Sequence, residues 1–119
     1  MKKPPDATMV PLSQNILAIE ASANQLSIAV MVNAEVVAAR QHLAAHGHTV
    51  GIVPLSIETL KDADMTFDVM THVAAGCGPG SFTGIRVALA AAKGFCMAYQ
   101  ATGVGVSGLQ ALANAATYV

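Results

Sequence analysis

Residues 73–95 read VAAGCGPGSFTGIRVALAAAKGF, and this stretch constrains the fold more than any other part of the chain. Val73, Ala74 and Ala75 form an apolar run suited to a buried strand. The run empties into Gly76, Gly78, Pro79 and Gly80, and a helix over 81–99 follows with Ser81 as its expected N-cap. Glycine admits positive φ and close backbone approach. Amides of the first helical turn, backed by the positive end of the helix dipole, can hold an anion. Gly78, Gly80 and Ser81 are therefore candidates for weak anion or nucleotide binding, and the same loop also reads as a plain strand-to-helix turn. A helix entered in this way returns the chain to a second strand parallel to the first, so the motif predicts a crossover in a parallel sheet.

The pattern on either side extends this reading. Residues 1–14 carry Pro4, Pro5 and Pro11 with little periodicity and read as a mobile tail ahead of one domain over 15–119. Residues 15–21 (NILAIEA) suit a central strand. Leu26, Ile28, Val30 and Val32 then alternate at strand period, Asn33-Ala34 stands where a hairpin turn is expected, and 35–41 returns as a third strand. From Thr49 the period changes. Val50, Val53, Ile57 and Leu60 recur at three and four, which predicts an amphipathic helix over 49–62, with Pro54 either kinking it or marking a short first turn. A strand over 70–76, the glycine loop and its helix, a short strand over 102–106 and a third helix capped by Ser107 complete the order β-β-β-α-β-α-β-α. Three antiparallel strands followed by two crossovers give a ribonuclease H-like α/β arrangement, a mixed five-stranded sheet of order 3-2-1-4-5 with helices on both faces.

Composition limits the function classes. Of the 119 residues, 54% are hydrophobic and only 11% charged, and no apolar run approaches the ~18 residues of a membrane span. The hydrophobicity instead suggests surface buried by a partner or by another part of the same protein. The net charge is −1, and Lys2 and Lys3 of the six basic residues lie in the tail, so the domain lacks the electrostatic footprint of a nucleic-acid binder. The segment after Lys2-Lys3 is Pro4-Pro5-Asp6 rather than an apolar signal core, which fits a cytoplasmic protein with Cys77 and Cys96 as free thiols. The sequence places no partner histidine for Cys77 beside the helix N-terminus, so Cys77 reads as a small buried residue. His42, His46, His48 and His72 offer no three ligands on one element, so no metal site is expected. Arg86 stands in the first turn of the glycine-loop helix, where the dipole disfavours a cation. An ion pair with Glu20 at the end of the first strand is the favoured compensation, and contact with an anionic ligand or a partner protein is the other.

Four segments, ILAIEAS (16–22), HTVGIVP (48–54), GCGPGSFTGIRVALAAAKG (76–94) and GVSGLQALA (105–113), occur in order and at fitting distances. Together they closely resemble the N-terminal lobe of the bacterial TsaB family, also called YeaZ, over about 15–119. The resemblance implies one lobe of an actin/Hsp70-like fold, with the second lobe lying outside this chain. It also implies a role in making threonylcarbamoyladenosine at position 37 of tRNA, with contact to tRNA only indirect. In that picture the protein is a non-catalytic scaffold that homodimerises or pairs with its catalytic paralogue TsaD, joined by the ATPase TsaE. The paralogue carries V-N-H-x-x-x-H with two metal-binding histidines. Here the corresponding positions are Gly108 and Leu112, neither of which can bind a metal. The alternative from the wider superfamily is a nucleotide-dependent transferase or an M22-type metallopeptidase. Glu20 stands where actin-like ATPases place an acidic residue, but Ala21-Ser22-Ala23-Asn24 lacks the glycine of their phosphate loops, and the family usually has Asp at position 20.

The helix over 81–99 is the expected association surface. Ile85, Leu89, Phe95 and Tyr99 are large enough to fill the domain's own core, while Ala88, Ala91 and Ala92 form a small-residue side that a second helix could approach closely. The expected interface comprises Ile85, Ala88, Leu89, Ala91, Ala92 and Phe95, with the helix over 49–62 assisting.

Overall fold

The computed structural model describes residues 13–21, 25–43, 51–78 and 82–107. β1 (Asn15–Glu20), β2 (Gln25–Val32) and β3 (Glu35–Leu43) form an antiparallel meander. Helix α1 (Ile52–Asp62) and a 3-10 turn (Phe67–Val69) lead to β4 (His72–Gly76), and α2 (Phe82–Tyr99) leads to β5 (Thr102–Val106). The sheet order is β3-β2-β1-β4-β5, with β4 parallel to both β1 and β5. This is the expected order. The expected third helix, including Gly108 and Leu112, lies outside the described residues.

Both described helices lie on one face of the sheet. Alternate strand residues Leu17, Ile19, Leu26, Ile28, Val30, Val73 and Ala75 point to that face and are buried in one cluster. From α1 the cluster takes Ile52, Leu55 and Leu60, and from α2 it takes Ala88, Ala92 and Phe95. The register explains the coherence: Leu17 pairs with Val30 on one side and Val73 on the other, so three wholly buried side chains share one row. The 3-10 turn, which the sequence pattern does not reveal, closes one end. Its Phe67 ring stacks between Phe95 and Tyr99, with centroids 4.7 and 5.3 Å away.

Details of α1 differ from the sequence reading. The helix starts at Ile52 after an extended Gly51, while Thr49 and Val50 lie outside the described residues. Pro54 falls in the first turn, where its missing N–H breaks no helical bond. The buried face is Ile52, Leu55, Ser56, Thr59 and Leu60, whereas Val53 and Ile57 of the expected stripe are exposed. The helix has two apolar stripes, and the sheet takes the one carrying Leu55 and Leu60, which join Leu26 and Ile28 in the core cluster. The Thr59 hydroxyl donates to the Leu55 carbonyl, but buried Ser56 Oγ has no partner among the described residues.

Polar contacts tie the sheet at the starts of its central strands and at its β3 edge. The Asn15 and Thr71 main chains are tied together by three hydrogen bonds: Thr71 N–H and Oγ1 donate to the Asn15 carbonyl, and Asn15 N–H donates to Thr71 Oγ1. The Asn15 side chain also donates to the Val69 carbonyl, at 2.8 Å. On the opposite side, Arg40 of β3 forks onto Asp62 at the end of α1, at 2.6 and 3.2 Å, and reaches Glu58 at 3.3 Å. This holds the edge strand to the helix. The guanidinium beside it keeps the Asp62 carboxyl below the ordinary aspartate range, chiefly through the hydrogen bond.

The hairpin between β2 and β3 turns through Asn33 (φ 50°) and Ala34 (φ 72°), the two-residue geometry with positive φ at both positions. Asn33 suits it, and its side chain accepts from Gln14 N–H. Alanine does not. Ala34→Gly should therefore raise the unfolding free energy by about 1 kcal/mol, read from the urea midpoint at unchanged slope. Ser56→Ala removes a buried hydroxyl without a partner and should be neutral or stabilising in the same assay. Asp62 has a lowered folded-state pKa, so its contribution is present above the ordinary carboxylate value and is lost as pH falls through the folded value. Arg40→Ala should accordingly destabilise the protein near pH 7. That difference should shrink in high salt, because the pair is exposed, and should vanish in strong acid.

Candidate functional site

Two surfaces carry the residues singled out by sequence. The first is the sheet face away from the helices. Ile16, Ala18 and Glu20 of β1 stand beside His72, Ala74 and Gly76 of β4, and Ser27, Ala29 and Met31 of β2 continue the same face. With Val104, Val106 and Ser107 they line a concavity of about 520 Å³. Its floor is apolar and its polar groups are at the rim.

The carboxyl ends of β1 and β4 meet at this rim. The side chain of Glu20 lies over Gly76, the residue that would pair with it across the two strands. A Cβ at position 76 would overlap the whole Glu20 carboxyl group. With glycine at 76, the Glu20 carboxylate takes up the space a side chain there would fill. Further along the loop, Gly78 is buried with φ 107°, a conformation open to glycine alone, so this glycine serves the backbone path directly. Gly80 and Ser81, the other two anion-site candidates, lie outside the described residues. Glu20 and Arg86 are each engaged by a neighbour, and Arg86 is on the exposed side of α2. Among the described lining residues Arg40 is the cation, and its guanidinium is turned to Asp62 and Glu58, while Glu20 places negative charge at the rim. That balance disfavours a polyphosphate in the concavity.

His42 lies on β3 and His72 on β4, separated in the sheet by β2 and β1. His46 and His48 fall outside the described residues. Thr71 Oγ1 and His72 Nδ1 are 2.8 Å apart, a local contact at the start of β4. Among the described residues no three histidine, cysteine or carboxylate side chains converge as a metal would need. Cys77 is exposed and Cys96 half-buried, and both are free. Cys77 is thus exposed rather than buried as the sequence suggested, and the Cys77 and Cys96 sulfurs lie over Gly105 and Gly103 of β5, where a Cβ would meet them in ordinary contact at 3.6 and 3.4 Å.

The second surface is the outside of α2, and here the structure corrects the assignment of faces. Ala88 and Ala92 are buried against the sheet, at 0% and 6% exposure, and Phe95 is held in the aromatic cluster with Phe67. Ala91 and Ile85 are half-buried, and Leu89 is exposed. The small residues expected to face a partner therefore face the core, because α2 packs so closely on β4 that only short side chains fit beneath it. The exposed ridge consists of Val87, Ala90, Gly94 and Met97, at spacings of three, four and three. Met97 is 85% exposed, and a Cβ on Gly94 would meet nothing within 4 Å. Val53 and Ile57 of α1 are exposed on the same side of the sheet. Helical periodicity alone contained this ridge, but the phase of the helix was not readable from so many alanines.

The fit of Glu20 over Gly76 makes a local prediction. Gly76→Ala should push the flexible Glu20 carboxylate aside at a small cost in stability, and adding Glu20→Ala should recover that loss. A denaturation double-mutant cycle reads the coupling, and strictly additive effects would show that the two residues do not share this space.

No helix among the described residues is long and apolar enough to cross a membrane. A family model described as "TsaD: tRNA N6-adenosine threonylcarbamoyltransferase" matches residues 31–119. The tRNA threonylcarbamoyladenosine biosynthesis protein TsaB of Buchnera aphidicola (subsp. Schizaphis graminum) is 32% identical over 105 residues, covering 88% of this chain and 50% of that protein. The Escherichia coli K12 protein of the same name is 33% identical over 101 residues, covering 85% of this chain and 43% of its own length. Among solved structures, YeaZ from Pseudomonas aeruginosa superposes with a TM-score of 0.72 at 26% identity, covering 79% of this chain and 44% of that one. The chain thus spans about half the length or less of these relatives. The sheet order, the glycine loop and these matches together place the chain in the TsaB/YeaZ family, with its actin/Hsp70-like, ribonuclease H-like α/β fold.

Proposed function

We propose that this protein acts in tRNA threonylcarbamoyladenosine biosynthesis in the cytoplasm, as a non-catalytic subunit that works by pairing with a second polypeptide. The observation that carries this reading is the outward ridge of α2. The described sheet and its two helices make no internal use of Val87 and Met97 on the solvent side of α2, or of the open glycine at position 94. An unpacked glycine within a helix is about 1 kcal/mol less favourable than alanine. A second helix lying along the ridge would use both the apolar side chains and the close approach at Gly94, gaining at about 25 cal/mol per Å² of buried apolar surface before association costs. Val53 and Ile57 of α1 would extend the contact.

The partner is either a second copy of the chain or the catalytic TsaD paralogue, with the ATPase TsaE in the larger assembly and tRNA reached through the paralogue. The chemistry of the described residues agrees with a supporting role. Among the described residues the rim of the sheet concavity carries a carboxylate, and the lining Arg40 is turned to Asp62 and Glu58. In the sequence, outside those residues, the positions matching the paralogue's metal histidines are Gly108 and Leu112.

Light scattering of the protein alone and mixed with the catalytic paralogue tests the proposal. Ala90→Glu should reduce association at least tenfold in whichever mixture shows it, while circular dichroism and the urea midpoint stay close to those of the parent. Ala88→Arg is the control. It forces a guanidinium into the core beneath α2 and should cost the fold itself. Association undiminished in Ala90→Glu would remove the ridge from the interface. A failure to associate in either mixture would overturn the proposal.

A further inference from the structure

We draw no further inference here: the strongest candidate, the apolar concavity on the sheet face opposite the two helices, floored by Ala18, Ala29, Met31 and Ala74 with Glu20 and Gly76 at its rim, is uncovered only among the described residues, and nothing in the structure shows what covers it.

Discussion

The parallel pairing of β1 with β4 is the contact on which the rest of the molecule depends. It brings Leu17 beside Val73 and Ile19 beside Ala75, joining the antiparallel meander to the crossover half of the chain. Since β3 runs antiparallel to β2, and β2 to β1, the strands β3, β1, β4 and β5 all point the same way. The connections through α1 and α2 step in the same direction across the sheet. Right-handed crossovers then require both helices on one face. One strand pairing thus decides where the core lies and which strand residues enter it.

The division of size between the layers follows from this. Bulk is supplied by the sheet, through Leu17, Ile19, Leu26, Ile28, Val30 and Val73, all at 2% exposure or less. The helix over β4 supplies Ala88 and Ala92. Small side chains bury little area each, so α2 is held by proximity and by the aromatic cluster at its C-terminal end, where Phe67 lies against Phe95 and Tyr99. The 3-10 turn therefore matters more than its three residues suggest. It supplies the ring that fixes the far end of α2, and with it the orientation of the Val87–Met97 ridge toward solvent.

The polar residues divide between anchoring and space-filling. Arg40 ties an otherwise exposed edge strand to the C-terminus of α1, and Thr71 with Asn15 joins the starts of β1 and β4. Glu20 is different, because its carboxylate occupies the volume that a side chain at position 76 would need. The glycine loop thus has a structural reason at Gly76 and at Gly78 before any ligand is considered. A reading of the motif as an anion cradle has to account for the carboxylate at its entrance.

Element types, strand order and the hairpin at Asn33-Ala34 were legible from residue order alone, because strand and helix periods differ and the handedness of crossovers leaves few topologies. The family was legible too, in GPGSFTGIR and the segments around it. The rotation of the two helices was not. In α2, five alanines and two glycines give a pattern apolar on every side, and in α1 the Val53–Ile57 stripe competes with the Leu55–Leu60 stripe. Only packing on the sheet chooses between them. The choice goes to whichever face fits the space above Leu26, Ile28 and Val73, since a helix close to a sheet admits alanine where leucine would collide. Sequence determined which segments pack together. The tertiary structure decided which of their surfaces remain for a partner.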